Sequence, residues 1–569
     1  MGGISLSYDK KKMVKEALDI IEACRISSGP RAAFCRQLNS ITDTGRQDGN
    51  RALINMLHKQ IDRTAAHLFS PTDLRFAIDF ENNYPDDIIA KGKMAARVLT
   101  RDFERSDSDM MFAEGVFEAL KYGVTILKQW VRQEGDDRVA TYHQSLLMPW
   151  QFGVYREDVT DISKQPAVCE TNLMTLPEVW NRIYHLPDAE TLFARIKTHA
   201  QKGTSGDEYN SFFHQVLSTS TLNTGSTGMI NPRPGGIVQL NNDPNYATMG
   251  PQVGVDMVRF HELWVWGEQD YTTVQIIEPD ILVAPRYKRS NLLISGDTHS
   301  GLQPYRVIRP NQVHGYFWGR SEIIDLIEPQ GLLATWCDDV KRLFGLQIDK
   351  IIAFMGFDGI TDEIYDQMRG AGYMNGPPGA QVTDLTPKMP AESMQMIEFM
   401  IKTIQMLGGF ENIMGGGGVP GIRSAAHADT AVKMGSPQLR DRSLLVERQC
   451  ASAADLRLHL MEAKDPRRYW TDPSKPEETS FMLGDIPEDR RVVVDSHSSS
   501  PIFADNHEQL TAFGLKSGIL DGESAIEMLP YPQKDLLIQR FRVKEEKQAK
   551  LIQEHPELLE AMAKRGGHH

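Results

Sequence analysis

"SEIIDLIEPQGLLATWCDDVKRLFGLQIDKIIAF", residues 321–354, decides how this chain folds. Apolar side chains stand at 323, 326/327, 333, 337, 340, 344, 348 and 351, the recurrence of a helix with an apolar stripe sustained over several turns. Ser321 occupies an N-cap position, and Pro329 is expected to interrupt or kink the helix. A long helix therefore arrives at about residue 354. "MGFDGITDEIYDQMRGAGYMNGPPGAQVTDLTPKMP" (355–390) is too rich in Gly and Pro to continue it and is expected to fold as a small compact projection. "AESMQMIEFMIKTIQMLGGF" (391–410) then departs as a second helix, with Met394, Ile397, Ile401, Ile404 and Leu407 read as one stripe. The outcome is an out-and-back hairpin with a small lobe at its tip.

Beyond the hairpin lies "ENIMGGGGVPGIRSAAHADTAV" (411–432), with four consecutive glycines at 415–418. One glycine suffices for a left-handed helix cap. Each further one costs about 0.5–1 kcal/mol in chain entropy if ordered, so the run reads as a loop that must move. "SAAHADTAVKMGSPQLRDRSLLVERQCASAADLRLHLMEA" (424–463) is again helical, with a kink expected at Gly435-Ser436-Pro437.

Working outward, residues 10–130 are mostly helical. "NRALINMLHKQIDRTAAHLFS" repeats apolar side chains at Leu53, Met56, Leu57, Ile61, Ala65 and Leu68. Val131–Val154 reads as a strand pair broken by "QEGDDR", and helices are expected at Leu176–Ile183 and through "AETLFARIKTHAQ". The polar, Gly/Asn/Pro-rich interval 202–252 is long enough to be a mobile insertion. "VRFHELWVWGEQDYTTVQIIEPDILVAPR" (258–286) alternates across two or three strands. The fold class is mixed α+β, predominantly α.

The 569 residues, 41% hydrophobic and 24% charged, point to a globular chain of two to four structural units. The N-terminal stretch turns charged within ten residues and no long apolar run follows, so neither a signal peptide nor a membrane span is expected, and the protein reads as soluble and made in the cytoplasm. Cys24, Cys35, Cys169, Cys337 and Cys450 are scattered without a C-x-x-C pair and read as small buried hydrophobes. A net charge of −14 argues against a broad basic face gripping DNA, though an acidic surface suits a duplex that must slide past.

Patterns that carry chemistry fail. "AKGKMAAR" (90–97) lacks the spacing of a phosphate-cradling loop, and "NTGSTGMINPRPGG" (223–236) lacks its lysine. H-E-x-x-H and G-x-S-x-G do not occur. Asp338 and Asp339 are adjacent on a helix, which splays them about 100° apart. No enzyme, cofactor or metal is expected.

The order of parts resembles the portal proteins of tailed bacteriophages, closest to those of short-tailed phages. The likeness lies in "PNQVHGYFWGRSEIIDLIEPQ" (310–330), in the succession of helix, projection, helix, glycine loop and long helix, and in "SAAHADTAV" followed by "RDRSLLVERQ". It continues in "NRALINMLHKQIDRTAAHLFSP", "EGVFEALKYGVTILKQWV" and "MPWQFGV", so that it covers about residues 50–465. The interval 202–252 and the C-terminal hundred residues depart from it.

The resemblance implies a portal fold of wing, stem, clip and crown assembled as a ring of twelve. Residues 1–320 would be the N-terminal wing region, 321–354 and 391–410 the stem helices, 355–390 the clip, 411–425 the tunnel loop, 426–500 the long wing helix and wing return, and 501–569 a helical crown. Gly415, Gly416, Gly417, Gly418, Val419, Pro420, Ile422 and Arg423 would line the DNA channel, and a ring of Arg423 side chains would touch phosphates weakly. Ile397, Ile401, Ile404, Val340 and Phe344 are assigned as stem contacts between subunits. Implied partners are double-stranded DNA read without sequence specificity, the large terminase subunit, a head–tail adaptor, the major capsid protein and a scaffolding protein, at the capsid vertex of a virion. The alternatives are another head or tail-connector component of a virion, or a DNA-packaging motor enzyme, which the missing phosphate loop disfavours.

Overall fold

The computed structural model describes residues 6–494 except 8, 48–50, 72–73, 133–140, 185, 187, 203–229, 233–237, 241–255, 267–270, 289–302, 349–351, 356–377, 380, 388–391, 409–436, 466 and 472–478. Beyond 494 it describes 511, 514–517, 522, 525–526, 537, 540–541 and 543–544, so the expected crown lies almost wholly outside the described residues. The fold is mixed α+β.

Helix α1 (Lys10–Arg25) starts at Asp9, whose carboxylate accepts from the Lys11 amide at 2.9 Å, satisfying one orphan donor of the first turn. Met13, Ala17, Ile21 and Cys24 form its buried stripe. α2 (Ser28–Thr44) ends at Gly45 with φ 75°, a left-handed cap that glycine adopts without strain. α3 (Leu57–Leu68) starts later than the apolar pattern suggested: Leu53 precedes it and is 70% exposed. β1 (Phe76–Phe80), α4 (Asp86–Arg105), α5 (Ser108–Tyr122), β2 (Thr125–Arg132), β3 (Thr141–Leu147) and β4 (Phe152–Val154) follow. Next come β5 (Ala167–Thr175), α6 (Leu176–Ile183), α7 (Ala189–His199) and β6 (Gln201–Lys202). Within the interval 202–252, β7 (Ile230–Pro232) pairs with β8 (Val238–Leu240), and most of the remainder lies outside the described residues. β9 (Asp256–Trp266), β10 (Tyr271–Ile277) and β11 (Ile281–Lys288) supply the three strands expected over 258–286, and β12 (Tyr305–Ile308) leads toward the hairpin.

α8 (Ile327–Ile348), β13 (Ile352–Met355), β14 (Gln381–Asp384) and α9 (Ser393–Leu407) are the hairpin itself. α10 (Pro437–Lys464), β15 (Tyr469–Trp470), β16 (Ser480–Phe481) and β17 (Arg490–Val494) complete the chain. The expected kink at 435–437 falls where the description begins, with Pro437 as the first helical residue, a position proline tolerates.

Two sheets make the body. One runs β11-β10-β9-β5-β4 with β6 also on β9; the other runs β12-β2-β3. β1 pairs antiparallel with β17, so residues near 490 close on residues near 78. α10 runs through the main core: Val446, Cys450, Ala453, Ala454, Leu458 and Met461 are all buried in it. The five cysteines are free thiols and buried.

A buried ionic cluster ties the sheets together. Lys128 of β2 lies 2.5 Å from Glu170 of β5 and 3.1 Å from Glu262 of β9. Tyr305 of β12 donates to Glu170 at 2.9 Å, and Arg182 and the Trp264 indole donate to Glu262 at 2.7 and 2.9 Å. Burial pushes the Glu262 carboxyl up, but Lys128, Arg182 and the indole together hold it down at about 2. Its contribution to stability is therefore present above the ordinary carboxylate value and lost as pH falls from about 4.5 toward 2. Glu262→Gln would leave Lys128 and Arg182 under-compensated and should destabilise the fold by about 3–5 kcal/mol. Denaturant unfolding checks this, and the variant's stability should also depend less on pH across that acid window.

Candidate functional site

The hairpin is the part of the fold with surface to spare. α8 and α9 pack against each other, and β13 and β14 pair antiparallel beyond them, Ile352 opposite Asp384 and Met355 opposite Gln381. The out-and-back arrangement read from the sequence is thus present, with two boundary corrections. The outgoing helix starts at Ile327, not Ser321, because the Ser321 hydroxyl is buried and donates to the Lys121 carbonyl at 2.7 Å instead of capping. Pro329 therefore falls in the first turn, where its missing N–H breaks no helical bond and no kink arises. At the far end the chain is extended by Ile352, so the helix does not reach 354; residues 356–377 of the expected clip lie outside the described residues.

The hairpin is rooted on α2 and α3. Gln330, fully buried, accepts from the Met56 amide at 3.0 Å and donates to the Ile54 carbonyl at 2.7 Å, bridging 274 residues to cap the start of α3. Asp338 pairs with Arg46 at 2.5 Å and Asp339 with Arg342 at 3.5 Å, which gives both acids structural partners. Burial pushes the Cys337 thiol up, with Asp338 adding to the effect and Arg46 opposing it, which disfavours the thiolate. Gln60 donates to the Gly408 carbonyl at 2.7 Å, directly after α9.

Both ends of the glycine-rich segment are tied to one helix. Gly408 is held at Gln60, and Ser443 near the start of α10 donates to the Leu68 carbonyl at 3.2 Å. Gln60 and Leu68 lie eight residues apart on α3, about 12 Å along its axis. Gly415, Gly416, Gly417, Gly418, Val419, Pro420, Ile422 and Arg423 all lie within 409–436 and outside the described residues.

The two quoted halves of the resemblance also meet. Glu322, from residues 310–330, accepts from Arg442 at 2.9 and 3.1 Å, and Gln449 both accepts from the Arg309 amide and donates to its carbonyl. Arg31 stacks over the Trp318 ring, 3.1 Å from its centroid, while the Trp318 indole donates to Glu157 at 2.8 Å. The segment is a strap fastening the hairpin to α10, with its Phe317, Trp318, Ser321, Ile323 and Leu326 buried.

The assigned stem contacts need correction. Val340, Ile397 and Ile404 are 8%, 9% and 1% exposed and belong to the chain's own core, and Ile401 is half-buried against it. Only Phe344 of the five faces outward. The outward set is different: Leu332, Trp336, Phe344 and Ile348 on α8, and Met394, Met396, Phe399, Met406 and Leu407 on α9. With Met355 and Leu385 beyond the helices, eleven of the twenty-three large exposed apolar side chains of the described residues lie between 332 and 407. The missed signal was composition: nine of the fifteen residues of α9 are apolar, more than one stripe can use.

Among the described residues no group of three or more His, Cys, Asp or Glu could hold a metal, and no helix is long and apolar enough to cross a membrane. Compared with known families and curated proteins, the chain matches no family model and no curated sequence.

Gln330→Leu should orphan the Met56 amide and the Ile54 carbonyl, at about 1–3 kcal/mol each. The expected readout is a lower melting temperature with faster amide exchange in the first turns of α3 and α8. Unchanged exchange there would show that the hairpin root is held elsewhere.

Proposed function

We propose that this chain is the subunit of a ring that encircles duplex DNA, a portal-like conduit of a tailed-phage virion, built around the α8–α9 hairpin. The observation that carries the reading is the exposed apolar surface of that hairpin. The lower part of its apolar stripe, with Val340, Ile397 and Ile404, is buried in the chain's own core, while Phe344 and Ile348 carry the α8 stripe beyond that core, and Trp336, Phe399 and Met406 stand beside or opposite it, all exposed to water. An isolated monomer does not keep so large a patch without use, and in a head-to-tail ring each hairpin would cover its neighbour's. Strands β13 and β14 then form the base of a clip for a packaging motor and later a tail adaptor. Residues 409–436 would supply a loop toward the channel. The net charge of −14 supports passage of DNA without adhesion.

The ring has twelve members in this reading, at one capsid vertex, and performs no catalysis. Trp336→Glu combined with Phe399→Glu should leave a folded monomer, with near-wild-type circular dichroism, that forms no rings in negative-stain images. Wild-type protein should show rings with an axial hole and twelvefold symmetry. Rings that persist in the double variant would remove the stem role. Ile397→Asp and Ile404→Asp are poor probes, because they place charge in the chain's own core and should unfold the hairpin. Deleting Gly415–Gly418 should leave rings intact while impairing DNA packaging or retention; loss of rings would make the segment an assembly element.

A further inference from the structure

We propose that a lysine-rimmed groove beside α1 receives the acidic end of the β1–α4 region from a second copy of the chain. The inference rests on the ring reading and adds to it a contact away from the hairpin.

The groove, a cleft of about 850 Å³, lies between α1, α7 and β11. Val14, Leu18, Leu192 and Leu282 give it an apolar floor, each only partly buried against the cores beneath. Lys10, Lys11, Lys15 and Arg195 line its rim against Asp188 and Asp280, and of these Arg195 already pairs with Asp280 at 3.3 Å. The lysines project from the first two turns of α1, which holds no acidic residue in its first turn. Cations there oppose the helix dipole and cost stability. The lining sums to +2, four cations against two acids, on a chain whose net charge is −14.

The complementary surface is made where β1 meets β17. The Glu81 amide donates to the Asp489 carbonyl at 3.0 Å, which brings Glu81 beside Glu488 and Asp489 across some four hundred residues of chain. Asp86 and Asp87 open α4 directly after, and Glu81, Asp86, Asp87 and Glu488 are all exposed. Ile89, one turn on, is 39% exposed. An acidic knob with an apolar side chain thus matches a basic groove with an apolar floor. α1 packs on β4, β5 and β9, whereas the knob belongs to β1, β17 and α4. The two surfaces differ, so a contact between copies is heterologous, the kind that propagates head to tail and closes a ring. Charge complementarity selects a second copy as occupant.

The test is the protein concentration at half-assembly, read by analytical ultracentrifugation. Lys11→Glu with Lys15→Glu should raise it by about tenfold or more. Acids in the first turns of α1 favour the helix, so this loss would not reflect unfolding. Glu81→Lys with Glu488→Lys should act similarly, and all four changes in one chain should restore assembly to within about threefold of wild type. Double variants that assemble like wild type, or a quadruple variant that is not rescued, overturn the pairing. If those variants assemble normally while the Trp336 and Phe399 changes still abolish rings, the knob and groove fail alone. Wild-type protein that stays monomeric at every concentration overturns both.

Discussion

A helix lying on a core can bury one stripe against its own chain, and α8 and α9 carry more apolar surface than that core covers. Leu333, Cys337 and Val340 on one helix, and Ile397, Met400 and Ile404 on the other, already fill the inner side. Exposed apolar residues extend this surface: Phe344 and Ile348 continue the α8 stripe past the core, Leu332 and Trp336 widen it, and Phe399 and Met406 stand on the opposite side of α9. Each such side chain moved from water into an interface contributes about 1.5–3 kcal/mol before the entropy of ordering is subtracted. The arrangement is stable alone only at a solubility penalty, and a repeated neighbour removes it. Methionine is well suited to this surface, since its unbranched chain fills irregular gaps between copies.

The hairpin must also be held at a fixed angle to the body if its outer face is to meet a partner. Three contacts from distant sequence do this: Gln330 on the start of α3, Asp338 on Arg46, and Gly408 on Gln60. The strap ending at Glu322, fastened by Arg442 and Gln449, links the same root to α10. Behind it, Lys128 with Glu170 and Glu262 locks one sheet to the other, a geometry that requires all its charges at once. Rigidity is thus placed in the body, and the described residues on either side of 409–436, Gly408 and Ser443, both bond to α3.

Periodicity made the elements legible. The strand pair near 131–154, the helix at Leu176–Ile183, the three strands over 258–286 and the hairpin order could all be read because each depends on local spacing. What could not be read was which stripe of a doubly apolar helix faces home. Ile397 and Ile404 stand on the opposite side of α9 from Phe399 and Met406, and both sides are apolar; only the long-range packing of the main core decides which faces home. Pro329 was misjudged because the start of α8 is set by where Ser321 finds the Lys121 carbonyl, again a long-range fact. Leu53 fits the apolar pattern of α3 yet stands outside it, since Gln330 fixes the helix start. The ionic cluster was invisible for the same reason, as Lys128 and Glu262 lie 134 positions apart. Gly415–Gly418 and Arg423 lie outside the described residues.

Hydroxyl-radical footprinting of the particle against protein diluted below its assembly concentration tests the central claim most directly, because Trp, Met and Phe side chains are strongly labelled when wet. The account predicts that Trp336, Phe344, Phe399 and Met406 become protected in the particle, while Val340, Ile397 and Ile404 are unlabelled in both states. Equal labelling of the outer set in both states would contradict it.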